Sequence, residues 1–112
     1  MRNEGIPLAG SSDSPVEPPH PLWGIAAAVD RYGIAPHERL TALEALGLFT
    51  NGAAAALREP HPLAVGSPAD LVVLDTDLRT ATADEIHDAT VIDTIVDGDV
   101  VSVDRALPTW ID

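Results

Sequence analysis

The stretch SSDS at residues 11–14 is the part of this sequence whose residue types are best suited to chemistry. It follows an apolar run at residues 6–9, and that run predicts a buried strand over residues 5–12 because it does not alternate with polar side chains. Asp13 therefore lies at the end of the predicted strand. A carboxylate in this place either takes part in a reaction or closes a turn beside serine and proline. The residues alone leave both interpretations open.

The other polar residues form no recognisable nucleophilic site. No Gly-x-Ser-x-Gly motif surrounds Ser12 or Ser14, and no histidine–aspartate pair is placed to serve them, which argues against a serine hydrolase. The chain contains no cysteine, so disulfides, thiolate metal sites and thiol nucleophiles are excluded. We interpret the four histidines as solvated loop or helix-end residues, with His20 also near enough to line a pocket beside Asp13: His20, His37, His61 and His87.

The composition indicates one acidic globular domain. The 112 residues are 46% hydrophobic, with no apolar run of the roughly 18 residues that span a membrane. We therefore expect a cytoplasmic protein. Eighteen acidic residues against six arginines and no lysine give a formal net charge of −12. This charge argues against nucleic acid and anionic membranes as partners. Such a surface is typical of proteins from a very salty cytoplasm, and drift in a GC-rich genome explains it equally well.

Helices are predicted for the first half of the chain after the initial strand. Apolar residues at helical spacing predict one helix over residues 22–33. A capping box of Thr41 and Glu44 begins a second helical region. Asn51 and Gly52 are expected to kink or divide that region.

Strands are predicted for the second half. Residues 71–75, LVVLD, form a β-branched apolar run, and a second capping box at residues 82–85 begins a short helix. The Asp-Gly pair at residues 97–98 predicts a hairpin turn after an apolar strand. The predicted strand at residues 5–12 has no neighbour nearby in the sequence, so its partners are either outside this chain or supplied by another copy of it.

Four segments carry a resemblance to a known family: GIPLAGSSDSPVEPPHPLWGIAAAVDR, ERLTALEALGLFTNGAAAAL, SPADLVVLD and VIDTIVDGDVV. In this order the chain resembles the C-terminal portion of the metal-dependent amidohydrolase superfamily, in its family 3 branch. The resemblance implies an α/β fold made of an incomplete (β/α)8 barrel and part of a small β-sandwich. Residues 1–60 would be the last barrel strand and the helices that follow it, and residues 61–112 a sandwich segment with a hairpin and a tail.

The resemblance also implies a reaction and a site. The reaction is hydrolysis of C–N bonds other than peptide bonds in a small-molecule substrate. Asp13 would bind a divalent metal, zinc, and would take the proton from the attacking water. The chain has neither the His-x-His pair nor the lysine of the family's site. Either the gene is truncated, or the true chain begins well upstream of Met1, or a second polypeptide completes the site, as a complementing barrel chain or as another copy in a homo-oligomer. The alternative is a non-catalytic remnant that acts as an oligomeric or binding module.

Overall fold

Helices occupy the first half of the described chain, and the strands lie in the second half. The computed structural model describes residues 4–60 and 62–101. Its mixed helix and strand content agrees with the predicted α/β class, while the barrel and sandwich assignment and the division at residue 60 stay predictions. The helices of the first half are α1 (Pro21–Asp30), α2 (Ala42–Phe49) and α3 (Asn51–Leu57), with 3₁₀ turns at Arg31–Gly33 and Pro36–Glu38.

Local signals set the ends of these helices. Proline occupies the first turn of α1, where its missing N–H costs nothing, and Arg31 ends the helix in the left-handed region at φ 63°. The predicted capping box begins α2, because the Thr41 N–H donates to Glu44 Oε2 at 2.8 Å and the Glu44 N–H donates to Thr41 Oγ1 at 3.3 Å. The backbone turns at Thr50, so the region is divided as predicted, but one residue earlier: Asn51 and Gly52 are the first residues of α3. Within the described ranges, no helix is long and apolar enough to cross a membrane.

A three-stranded antiparallel sheet follows. Its strands are β1 (Leu71–Leu74), β2 (Val91–Val96) and β3 (Asp99–Val101), in the spatial order β1–β2–β3. Asp97 and Gly98 connect β2 to β3 with φ angles of 51° and 87°, so both central residues of the turn have the positive φ that a two-residue hairpin turn favours. The predicted hairpin is thereby confirmed. The short helix α4 (Ala83–His87) lies between β1 and β2 and begins with the second predicted capping box.

The core lies where α1 packs against α2 and α4. Helix α1 supplies half of the buried apolar side chains of the described residues. Of the others, Ala45 precedes residue 60, and Leu78 and Ile86 follow it. The sheet borders this core mainly through Leu74. Among the described residues, six apolar side chains are buried: Leu22, Ile25, Ala26, Ala45, Leu78 and Ile86.

The predicted buried strand over residues 5–12 is wrong for this chain. Residues 6–12 pair with no strand in the described part of the molecule, and the side chain of Ile6 is 49% exposed. A strand needs a neighbour to receive its backbone hydrogen bonds, and here the Gly10 N–H instead donates to the Leu48 carbonyl at 2.9 Å. The segment is therefore seated against α2, not in a sheet.

Candidate functional site

Asp13 occupies a turn at the end of the segment that lies against α2. Its φ of 52° is in the left-handed region, which aspartate tolerates better than most residues. Its N–H donates to Ser11 Oγ at 3.1 Å, and its carbonyl accepts from the Val16 N–H at 2.9 Å. The backbone of Asp13 thus helps to close the turn, and its side chain is exposed. This position is compatible with both interpretations of Asp13, a carboxylate that takes part in a reaction and a residue that closes a turn.

The residues of the described chain do not make a metal site by themselves. A catalytic zinc has three protein ligands and a structural zinc has four. Across residues 4–60 and 62–101, no group of three or more histidine, aspartate or glutamate side chains could hold a metal ion. Asp13 can contribute one carboxylate, and one carboxylate does not make a zinc site.

A pocket of about 420 Å³ lies beside the Asp13 turn. Its volume is within the range of small-molecule pockets. Ser11 and Ser12 line it, whereas Asp13 lies outside its lining. The remaining walls come from the proline-rich loop, α1, the first 3₁₀ turn, α2 and α4: Glu17, Pro18, His20, Trp23, Gly24, Ala27, Tyr32, Phe49 and His87.

Two imidazole rings stack on one indole ring in the wall of this pocket. The centroid of the His20 ring lies 4.5 Å from that of Trp23, with an angle of 11° between the planes. The His87 ring lies 5.3 Å from Trp23, at 7°. His87 Nδ1 lies 2.9 Å from Asp88 Oδ1, and because an ionised carboxylate only accepts, this nitrogen is the donor. The stack therefore joins the residue before α1, the first turn of α1 and the end of α4.

His20 differs most from its predicted role. We expected a solvated loop histidine, but its Nδ1 is buried without a hydrogen-bond partner. Burial is the largest cause that lowers the pKa of His20, the nearby His87 lowers it further, and the backbone of His20 acts in the opposite direction. The spacing of His20 and Trp23, three residues apart at a helix start, was a usable signal. His87 comes from a distant element, so no local signal could have placed it there.

His37 is not among the residues that line the pocket. His37 is exposed in the second 3₁₀ turn, and His61 lies outside the described residues. The pocket therefore presents two imidazoles, serine hydroxyls and the Glu17 carboxylate beside aromatic rings. These groups can hold a small polar molecule by hydrogen bonds and stacking.

Comparison with known proteins gives one family. A sequence profile described as the amidohydrolase family matches residues 1–102. The putative amidohydrolase YtcJ of Bacillus subtilis (strain 168) is 32% identical over 112 aligned positions, which cover 88% of this chain and 21% of that protein. The chain thus spans about a fifth of the length of this relative. No solved structure matches the chain.

Proposed function

The chain belongs to the amidohydrolase family, in its family 3 branch, and from this membership we propose that it is the C-terminal part of a metal-dependent hydrolase. The proposed reaction is hydrolysis of C–N bonds other than peptide bonds in a small-molecule substrate. The observation that carries the proposal is the family match over residues 1–102. The relative is about five times longer than its matched part, which supports a site completed by residues beyond this chain.

Asp13 is the residue that we propose for the completed site. Its carboxylate is exposed on a turn beside a pocket of about 420 Å³, so ligands from another segment can approach it. We propose that it supplies one oxygen ligand to a divalent metal, zinc, and accepts the proton of the attacking water. A general base typically contributes about 10²–10⁴-fold to the rate. The remaining ligands would come from outside the described residues.

The first experiment is the intact mass of the native protein that carries this sequence, captured from lysate of the source cells by an antibody to residues 82–97. The proposal predicts a species several times heavier than 11.7 kDa that contains zinc. In that native protein, Asp13→Asn should lower the hydrolysis of small amides by about 10²-fold or more, since it removes the proposed proton acceptor. Asp99→Asn is the matched control, because Asp99 is an exposed aspartate on β3, and it should leave the rate unchanged. Equal rates for the two variants would exclude Asp13 from the reaction.

A second candidate function is a non-catalytic module that binds another copy of the chain. The observation that favours it is the exposed apolar surface of the sheet, where Val72 and Val100 are 57% and 66% exposed. A native species of 11.7 kDa that elutes as an oligomer, and whose thermal unfolding does not shift with excess Zn²⁺ or Mn²⁺, would support this function against the hydrolase. The cytoplasmic location, and the absence of nucleic acid and membrane partners, stay predictions from composition.

A further inference from the structure

The pocket of about 420 Å³ beside the Asp13 turn is lined by one carboxylate and, among the described residues, by no arginine. The carboxylate is that of Glu17, in the proline-rich loop at residues 14–20. The chain has no lysine. The other titratable side chains of the lining are two histidines and a tyrosine, and above about pH 7 these residue types are ordinarily neutral. In that range the pocket is anionic, so the ligand that it favours is a cation.

The Glu17 carboxylate has no partner in the part of the chain that the structure describes, where it forms neither an ion pair nor a hydrogen bond. The arginines of the neighbouring segments are engaged elsewhere. Arg31 Nε donates to the Ile34 carbonyl at 3.1 Å, and the Arg39 guanidinium pairs with another carboxylate. An ionised carboxylate only accepts hydrogen bonds. Glu17 is therefore available to a ligand that donates N–H groups and carries a positive charge.

The aromatic walls of the pocket suit the body of such a ligand. The indole ring of Trp23 already stacks with the imidazole rings of His20 and His87. Tyr32 also lines the pocket, is 58% exposed, and stacks with no other ring of the described residues. The face of a tyrosine ring attracts a cation through the ring quadrupole. The pocket thus combines an available aromatic ring and apolar walls with an unpaired carboxylate.

We propose that this pocket binds a protonated arylalkylamine, with the ammonium group beside Glu17 and the aryl group against the apolar and aromatic walls. Charge selects between ligands of one size, because Glu17 attracts an ammonium group more strongly than a neutral hydroxyl and repels a carboxylate. The formal net charge of −12 also draws cations toward the chain. The site uses neither a metal nor the Asp13 side chain, so it goes beyond the proposed hydrolase function and is tested separately from it.

Binding of benzylamine to the 112-residue chain tests the proposal. Benzylamine is protonated at neutral pH, and benzyl alcohol and benzoate are its neutral and anionic counterparts. In low salt, the NMR amide signals of Ser12 and Ala27, which line the pocket, should shift with benzylamine concentration, while that of Gly98 in the hairpin turn should not. Benzylamine should bind about 5-fold more tightly than benzyl alcohol, and this preference should shrink in about 1 M salt. Benzoate should bind more weakly than benzyl alcohol.

Glu17→Gln should weaken benzylamine binding about 5-fold, the upper end for an exposed ion pair, and should leave benzyl alcohol binding unchanged. Glu38→Gln is the matched control, because Glu38 is an exposed glutamate outside the pocket lining, and it should change neither affinity. If Glu17→Gln does not fold, Tyr32→Asn keeps the test decisive.

Tyr32→Asn removes the available ring with a residue that tolerates the φ of 45° at this position, and it should weaken benzylamine binding about 2–5-fold. The NMR spectrum of each variant shows whether it is folded. The proposal is wrong if the folded chain binds benzylamine no more tightly than benzyl alcohol. It is equally wrong if Glu17→Gln and Glu38→Gln affect binding alike, or if Tyr32→Asn leaves the benzylamine affinity unchanged.

Discussion

The ring of Phe49 fits between two glycines, and adding one methyl group to either glycine should destabilise the fold. A Cβ on Gly24 would lie 2.5 Å from Phe49 Cζ, and a Cβ on Gly10 would lie 2.5 Å from Phe49 Cε2 and 2.7 Å from Cζ. These distances are far inside van der Waals contact. The ring cannot retreat from one glycine without approaching the other, so Gly24→Ala must push Phe49 out of its position or shift the backbone.

The expected change in the free energy of unfolding is the net of two opposing effects. Overpacking of this kind costs about 1–3 kcal/mol. Alanine in place of glycine in the interior of a helix gains about 1 kcal/mol. Gly24 lies within α1 and receives that gain, so the net change for Gly24→Ala is a loss of about 0–2 kcal/mol. Gly10 lies outside the helices and has no such gain, so Gly10→Ala should cost about 1–3 kcal/mol.

Gly47→Ala is the matched control, because Gly47 also lies in a helix and a Cβ there would meet nothing within 4 Å. It should stabilise the chain by about 1 kcal/mol. The two helical variants should therefore differ by about 1–3 kcal/mol in the free energy of unfolding, measured by urea titration with far-UV circular dichroism. In a Phe49→Leu background, which removes the obstructing end of the ring, Gly24→Ala should behave like Gly47→Ala.

Two results would refute this reasoning. One is a Gly24→Ala variant that is stabilised as much as Gly47→Ala in the natural background. The other is a cost of Gly24→Ala that is the same with Phe49 and with Leu at position 49, because the clash would then not involve the ring. The first result would mean that α1 and α2 approach each other less closely than the structure has them, and the second that the added methyl group meets a group other than Phe49.

Three further outcomes follow from individual contacts. Thr41→Ala should cost about 1 kcal/mol in urea unfolding, since it removes the hydroxyl that caps α2. Arg79 donates to Asp77 at 2.7 and 2.9 Å and lowers the pKa of that carboxyl to about 2. Arg79→Ala should therefore raise the NMR titration midpoint of Asp77 with little effect on stability, because the pair is exposed. Gly52→Ala should destabilise the chain in the same urea assay, because its Cβ would meet the carbonyl oxygen of Leu8.

Features determined by neighbouring residues could be predicted from the sequence. Each capping box depends on a threonine and a glutamate three residues apart, and both boxes form as predicted. The hairpin depends on Asp97 and Gly98, which tolerate the positive φ that its turn requires. The residues that form each of these interactions lie within four positions of one another, so the local sequence is sufficient to specify them.

Features determined by distant residues could not be predicted in this way. The apolar run at residues 6–9 is compatible with a strand, but a strand also needs a partner, and in this chain Gly10 finds the Leu48 carbonyl instead. The candidate site shows the same limit. The sequence around Asp13 pointed to residues that lie beside the pocket, yet the contact of Trp23 with His87 depends on how α4 packs against α1.

The sheet is covered only in part by the described residues. Leu71, Val72 and Val73 are successive residues of β1, so their side chains alternate between the two faces of the sheet. They are 37%, 57% and 40% exposed, which means that both faces of this apolar strand are open. Continuous β-branched runs are typical of strands covered on both faces. The sequence of β1 thus matches an environment that the described residues supply only in part. This mismatch supports the proposal that further polypeptide covers the sheet, and it makes the intact mass of the native protein the measurement on which both candidate functions depend.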